Sequence, residues 1–344
     1  MDFIDLDGKK ILYISVKTFN YEKEIEKKLV SLGAKVDYFD ERPSNSILAK
    51  GIIRVKRSLY KKKIDAYYKS ILNSINDKVY DYFFLVKGEV IPSFFLIKLR
   101  QKMPKCNFIF YTWDSFDNNP NAVSILHFFD RKFTFDNQDA EKFKIDFRPL
   151  FYIDSYKNVL KDIQNSHEYE LLFLGTAHSD RYKIGTNIVS YCDSNNFKSF
   201  AYYYMPSKLV YFIKSLFDSS FKEFDIKKIS FKSLNLERII ELYKKSKIIL
   251  DINHPSQRGM TMRTFEALGA GKKIITTNKE IKKYSFYNSN NVFVIDRNNI
   301  KLEKKFFEST FNPLSKEMLY QMSITGWLKS IFIENDTDFW LNNK

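Results

Sequence analysis

Only two cysteines, Cys106 and Cys192, occur in the 344 residues, and they form no C-x-x-C pair. That excludes a disulfide-rich secreted scaffold and argues against a structural thiolate metal site. A reducing compartment suits such a chain. Glycine (10) and proline (8) are scarce, so glycines that cluster mark turns or close backbone approaches. No uninterrupted apolar run nears the roughly 20 residues that a membrane-spanning helix needs. The opening Met1-Asp2-Phe3-Ile4-Asp5 is acidic, where an export signal would be basic. The expectation is a cytoplasmic chain, neither exported by a standard signal nor integral to a membrane. Internal repeats and low-complexity segments are lacking as well.

What is present is length, aromatic content and positive charge. A chain of this size exceeds one ordinary core, which predicts two domains of roughly 150 residues each. The net charge of +15 and a pI near 9.4 call for an anionic partner or surface. Charge alone does not choose among nucleic acid, phospholipid and phosphorylated substrate. An AT-rich genome, whose codons favour Lys, Asn, Ile, Phe and Tyr, would write a similar composition.

The periodicity alternates between strand and helix. Lys10–Ser15 is a short apolar run, residues 22–32 have helical spacing stopped by Gly33, and residues 35–39 form a second strand; this is a β-α-β opening. A basic amphipathic helix is predicted over 53–72, strands over 80–86, 107–111 and 132–135, and a helix over 94–102. Proline at Arg148-Pro149-Leu150 breaks the pattern. A second series starts at Tyr169, with strands over 169–175, near 198–204, 248–252 and 273–277, and helices over 236–245 and after Thr264. A last helix spans 315–332. Two doubly wound α/β domains in tandem follow, over 1–152 and 153–312, with 313–344 as a C-terminal helical tail.

In open parallel sheets ligands bind beyond the carboxyl ends of the strands, where loops feed helix N-termini. One such loop stands out: Leu250-Asp251-Ile252-Asn253-His254-Pro255-Ser256-Gln257-Arg258-Gly259-Met260-Thr261-Met262-Arg263-Thr264-Phe265-Glu266-Ala267-Leu268-Gly269-Ala270-Gly271. Free N–H groups from about Thr261 to Thr264, with Arg263 as a fork of donors, suit a diphosphate. Glu266, one turn on, can accept both hydroxyls of a ribose diol. A helix cap, a surface arginine and a first-turn acid would account for the same letters, and chemistry alone does not separate the two readings.

The run Arg263-Thr264-Phe265-Glu266-Ala267-Leu268-Gly269-Ala270-Gly271, with the preceding 239–250, resembles the donor-binding motif of GT-B glycosyltransferases. The likeness is to the branch of spore-maturation-type, capsule and lipopolysaccharide biosynthesis enzymes, strongest over 236–280 and weaker over 80–175. It implies two Rossmann-like domains facing a central cleft, an N-terminal one for the acceptor and a C-terminal one for the nucleotide sugar, with the C-terminal helix crossing back to the first. By that resemblance Glu266 holds the donor ribose, Arg263 and Thr264 face the pyrophosphate, and Arg258, Gly259, Thr261 and Met262 belong to the same loop. Family frequency implies a UDP-linked sugar as donor, and the resemblance implies a glycan or lipid-linked acceptor in bacterial surface polysaccharide (capsule or O-antigen) synthesis. One departure stands out: many retaining GT-B enzymes carry an acid eight residues before the one matched by Glu266, where this chain has Arg258, and this counts against a retaining outcome without establishing inversion.

Other candidates are less specific. Phe173-Leu174-Gly175-Thr176-Ala177-His178-Ser179-Asp180-Arg181 resembles the first loop of the donor domain, with Gly175 at the strand end and Arg181 a second phosphate contact; an arginine at an ordinary turn reads the same way. His254 can bond donor or acceptor, or simply belong to its loop. For the base that takes the acceptor proton, Tyr111-Thr112-Trp113-Asp114-Ser115-Phe116-Asp117 offers Asp114, with Asp117 and Glu89 in reserve and Trp113 as a stacking face. No metal or other cofactor is required in this scheme, since the arginines and helix amides meet the diphosphate charge and no D-x-D stands in a suitable loop.

The stretch from Arg54 to Lys69 carries seven cations among Leu59, Tyr60, Ile64, Tyr67 and Tyr68. It can lie on anionic lipid, which would serve a lipid-linked acceptor at the inner face of the membrane, or be a solvated helix packed on its own domain. A nucleic-acid reader lacks any recognisable motif here. A nicotinamide enzyme lacks G-x-G-x-x-G after Ile14. An inactive scaffold with the same fold remains an alternative, and Arg263 with Glu266 speaks against it.

Overall fold

The computed structural model describes residues 5–161, 167–177, 180–217 and 224–342; His178 and Ser179 lie outside them. The chain divides into two compact units, Met1–Pro149 with Ile324–Thr337, and Leu150–Ser323 with Asp338–Lys344.

The first unit holds six parallel strands, β1 (Lys10–Ser15), β2 (Lys35–Asp40), β3 (Tyr82–Val86), β4 (Asn107–Thr112), β5 (Arg131–Thr134) and β6 (Asp146–Phe147), in the order β2-β1-β3-β4-β5-β6. Its central strands carry apolar residues without alternation because both faces are covered. Phe83, Phe84, Leu85 and Val86 are each fully buried. The second unit repeats the plan with β7 (Tyr169–Thr176), β8 (Ser199–Tyr204), β9 (Ile229–Ser230), β10 (Ser246–Asp251), β11 (Lys273–Thr276) and β12 (Val292–Val294), ordered β12-β11-β10-β7-β8-β9. Each unit has its own buried cluster, centred on Phe83, Phe95 and Phe108 in the first and on Phe173, Ile188 and Leu250 in the second.

The strand orders locate the binding edges. In the first sheet the chain lays β2 on one side of β1 and β3 on the other, so the order reverses between β1 and β3. In the second it reverses between β7 and β10. At such switch points the following loops leave in opposite directions and open a crevice past the strand ends. The residues there are Val16 onward and Lys87 onward in the first unit, and Ala177 onward and Ile252 onward in the second.

Two predicted helices are broken. The expected helix over 315–332 is two, Lys316–Met322 and Ile324–Phe332. Ser315 caps the first, its Oγ accepting from the Met318 amide at 3.1 Å. The Tyr152 amide takes the Met322 carbonyl at 2.9 Å, so the ladder stops there and Ser323 is extended. Ile324–Phe332 packs in the first unit, with Trp327 edge-on to Tyr111 at 4.8 Å and Arg131 bonding the Ser330 and Ile333 carbonyls at its end. Trp340 returns to the second unit beside Phe265. The tail is therefore shared between the units rather than lying as one element on the first.

The basic stretch is a helix Ile47–Lys56, a 3-10 turn Arg57–Tyr60 and a helix Lys61–Ser74. Ile64 and Tyr68 point into the first core. Tyr67 donates to the Asp40 carbonyl and Tyr68 to that of Glu41. These rings pack on their own unit; they do not line an outer surface with the lysines.

Candidate functional site

In the second unit the loop after β10 runs to the helix Met262–Gly269, with Thr261 as N-cap. Asp251, the last residue of β10, is 2 % exposed. Its Oδ2 accepts from the hydroxyls of Thr261 at 2.7 Å and Thr264 at 3.0 Å. This buried carboxylate pins the helix start to the strand end, and it occupies the Thr264 hydroxyl that the resemblance turned toward a pyrophosphate. The Thr264 amide bonds back to the Thr261 carbonyl at 3.2 Å, which leaves the first two helical amides, Met262 and Arg263, without an intrahelical acceptor.

Three guanidinium groups gather at this edge. Arg181, first residue of the helix after β7, is half-buried and donates to the Ile252 carbonyl and to Thr176 Oγ1, both at 2.8 Å. Burial, and next the Arg263 charge, push it down to about 10, against the opposing pull of Asp251; Arg297 adds to the depression. Arg297 grips Asp180 through both carboxylate oxygens at 2.9 and 2.7 Å and bonds the Asn253 carbonyl at 2.6 Å. Arg263 hydrogen-bonds Tyr243, and its buried Nε has no acceptor. Three cations thus crowd against two carboxylates, Asp180 and Asp251. Such crowding costs free energy unless an anion joins it.

Glu266 lies one turn into the helix, 7 % exposed, and accepts from the Tyr243 hydroxyl at 3.3 Å. Burial pushes its carboxyl up to about 8. Gly269 and Gly271 end the helix for different reasons. A Cβ at Gly269 would stand 2.3 Å from the Tyr152 ring, whereas Gly271 has a positive φ of 67°. Gly175 is the strand-end position where a Cβ would meet the Phe173 ring at 2.5 Å.

The rest of the loop is held from below. Asn278 donates to the carbonyls of Arg258 at 2.9 Å and Gly259 at 3.4 Å. Met262 and Arg258 are partly buried. His254 is exposed, its Nδ1 2.8 Å from Ser256 Oγ and accepting from the Ser256 amide, so it shapes its own turn. The structure therefore brings together Arg181, Thr261, Met262, Arg263 and Glu266, with His254 at the margin. Sequence reasoning missed Asp251, Asp180, Tyr243 and Arg297 as parts of the site. Asp251, an acid closing an apolar strand, carried a usable signal; Arg297 had none.

In the first unit the edge past β3 is equally charged. Lys87 has φ 92°, a strained value for a residue with a side chain, followed by Gly88 at 71°. The turn is fixed by the Lys87 amide on the Tyr111 carbonyl at 2.8 Å and by Asn119 and Asn121 on the Lys87 and Gly88 carbonyls. It sets the Lys87 ammonium 3.3 Å from Glu89 and 3.4 Å from Asp114. Asn118 also donates to Asp114, at 3.2 Å. Glu89 pairs with Arg42; burial raises its carboxyl, but Arg42 and Lys87 outweigh that and hold it below its ordinary value. Fully buried Glu41 accepts from the Val90 and Ile91 amides at 2.6 and 3.3 Å, and burial, with Glu89 second, pushes it up to about 7. Asp114 and Glu89 thus share one cluster with Trp113 half-exposed beside it. Asp117 does not join it, being 68 % exposed and 3.8 Å from Lys142. Lys87, Arg42 and Glu41 were not foreseen.

Among the described residues no three His, Cys, Asp or Glu side chains are grouped to hold a metal ion, and no helix is long and apolar enough to cross a membrane. No protein-family model and no curated protein matches the sequence. Solved structures do. An alpha-glucosyltransferase in complex with UDP and a 13-mer DNA is similar at TM-score 0.59 and 10% identity, covering 94% of this chain and 96% of that one. The α,α-trehalose-phosphate synthase (UDP-forming) from Burkholderia xenovorans is similar at TM-score 0.61 and 10% identity, covering 93% and 98%. A glycosyltransferase from Rickettsia africae ESF-5 is similar at TM-score 0.53 and 15% identity, covering 95% of each chain. Likeness along nearly the whole of both chains, with the two six-stranded parallel sheets, makes the fold GT-B: two Rossmann-like domains in one chain.

Proposed function

We propose that this chain is a nucleotide-sugar-dependent glycosyltransferase whose second unit binds the donor and whose first unit binds the acceptor. The observation that carries the reading is the excess of guanidinium charge at the β7/β10 switch point, with a buried Arg263 Nε left unbonded above two open helix amides. A nucleoside diphosphate would supply the missing acceptors: its phosphates take Arg263, Arg181 and the Met262 and Arg263 amides, and its ribose diol bonds Glu266. The same groups would stabilise the departing diphosphate without a metal ion. Asp114 is the base we assign to the acceptor hydroxyl, with Lys87 orienting its carboxylate; Glu89 is already engaged by two cations, Arg42 and Lys87. UDP-linked sugars fit the UDP bound to the similar alpha-glucosyltransferase and the UDP-forming reaction of the similar trehalose-phosphate synthase, and a glycan or lipid-linked acceptor of surface polysaccharide is the substrate we infer.

Calorimetry with UDP, GDP, CMP and dTDP, with and without Mg²⁺, tests the donor site. One nucleotide is expected to bind without metal, and Arg263→Ala to weaken it about 10- to 100-fold, the loss of one or two charge-assisted hydrogen bonds. The matching nucleoside should be little affected. No binding by any nucleotide would leave a GT-B scaffold without donor chemistry as the better account.

A further inference from the structure

We propose that the helix Ile47–Lys56 and the turn Arg57–Tyr60 form a contact surface for an anionic lipid bilayer. The inference stands on this surface and is independent of the donor site, although a lipid-linked acceptor would profit from it.

Five large aliphatic side chains are exposed here: Ile47 at 66 %, Leu48 at 79 %, Ile52 at 36 %, Val55 at 87 % and Leu59 at 71 %. Ala49 and Ile53, on the opposite face, are buried in the first core. At about 100° per residue positions 48, 52 and 55 fall on one stripe, and Leu59 is exposed in the turn that follows. The same spacing puts Arg54 on one flank and Lys56 on the other. Between Glu41 and Asp65 the chain has eight cations and no acid. Arg42 and Lys61 have carboxylate partners, and Arg57 bonds Asn121 and the Val90 carbonyl. Lys50, Arg54, Lys56, Lys62 and Lys63 are exposed and, among the described residues, pair with no carboxylate.

An aliphatic stripe between unpaired cations matches a membrane interface, where side chains enter the acyl boundary and ammonium and guanidinium groups meet lipid phosphates. The alternatives fit less well. A second copy would set like charges against like across a two-fold axis. A single-stranded nucleic acid needs exposed rings to stack on, whereas Tyr67 and Tyr68 turn inward and Tyr60 is partly buried against the first core.

Co-sedimentation of the full chain with vesicles of phosphatidylcholine alone, or about three parts of it to one of phosphatidylglycerol, tests the assignment. Partitioning should favour the anionic vesicles and fall about tenfold or more in the triple variant Leu48→Ser, Val55→Ser, Leu59→Ser. These side chains are exposed, so its thermal unfolding and UDP binding should match the wild type. Arg54→Gln with Lys56→Gln should weaken binding to anionic vesicles alone. Absence of wild-type partitioning overturns the proposal, and so does undiminished partitioning of the triple variant. Self-association in lipid-free ultracentrifugation that the triple variant abolishes would assign the stripe to a second copy instead.

Discussion

At the scale of single residues, the donor edge turns on one buried carboxyl. Glu266 is neutral over much of the physiological range because burial raises it to about 8, yet a ribose diol donates its protons best to a carboxylate. Binding would therefore favour the ionised form and pull the pKa down, so affinity for a UDP-sugar should fall up to about tenfold per pH unit below about 8. Arg181, pushed down to about 10, and Tyr243, pushed up to about 12, lie above this window, and sugar-diphosphate diesters keep their charge. Calorimetry from pH 6 to 8.5 checks it, with Glu266→Gln expected to bind weakly at every pH. A flat wild-type profile would remove Glu266 from the ribose. The sign for stability without ligand is opposite. A carboxyl raised in the folded state contributes fully below its unfolded value near 4.5, and that contribution is lost as pH climbs toward 8.

At the scale of elements, the turn after β3 shows strain kept for a purpose. Lys87 holds φ 92° because three hydrogen bonds from neighbouring segments fix the turn, and the strained backbone sets its ammonium between Glu89 and Asp114. In most contexts glycine is the less stable replacement, since it gains more freedom on unfolding. Here the order should invert. Lys87→Gly should unfold at a higher denaturant midpoint than Lys87→Ala, by roughly 1 kcal/mol, although both remove the same charge. Equal midpoints, or a more stable alanine variant, would mean that the turn relaxes without glycine. The element boundaries that the periodicity missed have similar causes. A helix over 315–332 is sound by pattern, but the Tyr152 amide claims the Met322 carbonyl, and no local rule announces a partner 170 residues away in sequence. Of the outward aliphatic residues only Leu59 counts among those read from the sequence as lipid-facing, while Leu48, Ile52 and Val55 were invisible, because exposed and buried aliphatic positions look alike in the sequence.

At the scale of the molecule, two separate cores suggest two cooperative transitions on heating, since each unit buries its own cluster. A donor nucleotide should raise the transition of the second unit alone, by about 2.7 kcal/mol at a hundredfold excess over Kd. Calorimetry with near-ultraviolet detection separates the two, because Trp113 and Trp327 report on the first unit and Trp340 on the second. An equal shift of both transitions would show that the units unfold as one.

The sequence by itself determined the α/β class, the tandem of two doubly wound units and the loop at Arg263 and Glu266. Each of these rests on a local rule: apolar period, glycine at a turn, a helix start after a strand. Only the tertiary structure decided that Asp251 pins that helix, that Arg181 and Arg297 join Arg263, that Lys87 is strained between two carboxylates and that Asp117 stands apart. Those relations depend on strand order. Parallel sheets bring together residues more than a hundred positions distant, such as Asp180 and Arg297, and the reversal between β7 and β10 is a property of the assembled sheet that no stretch of residues carries.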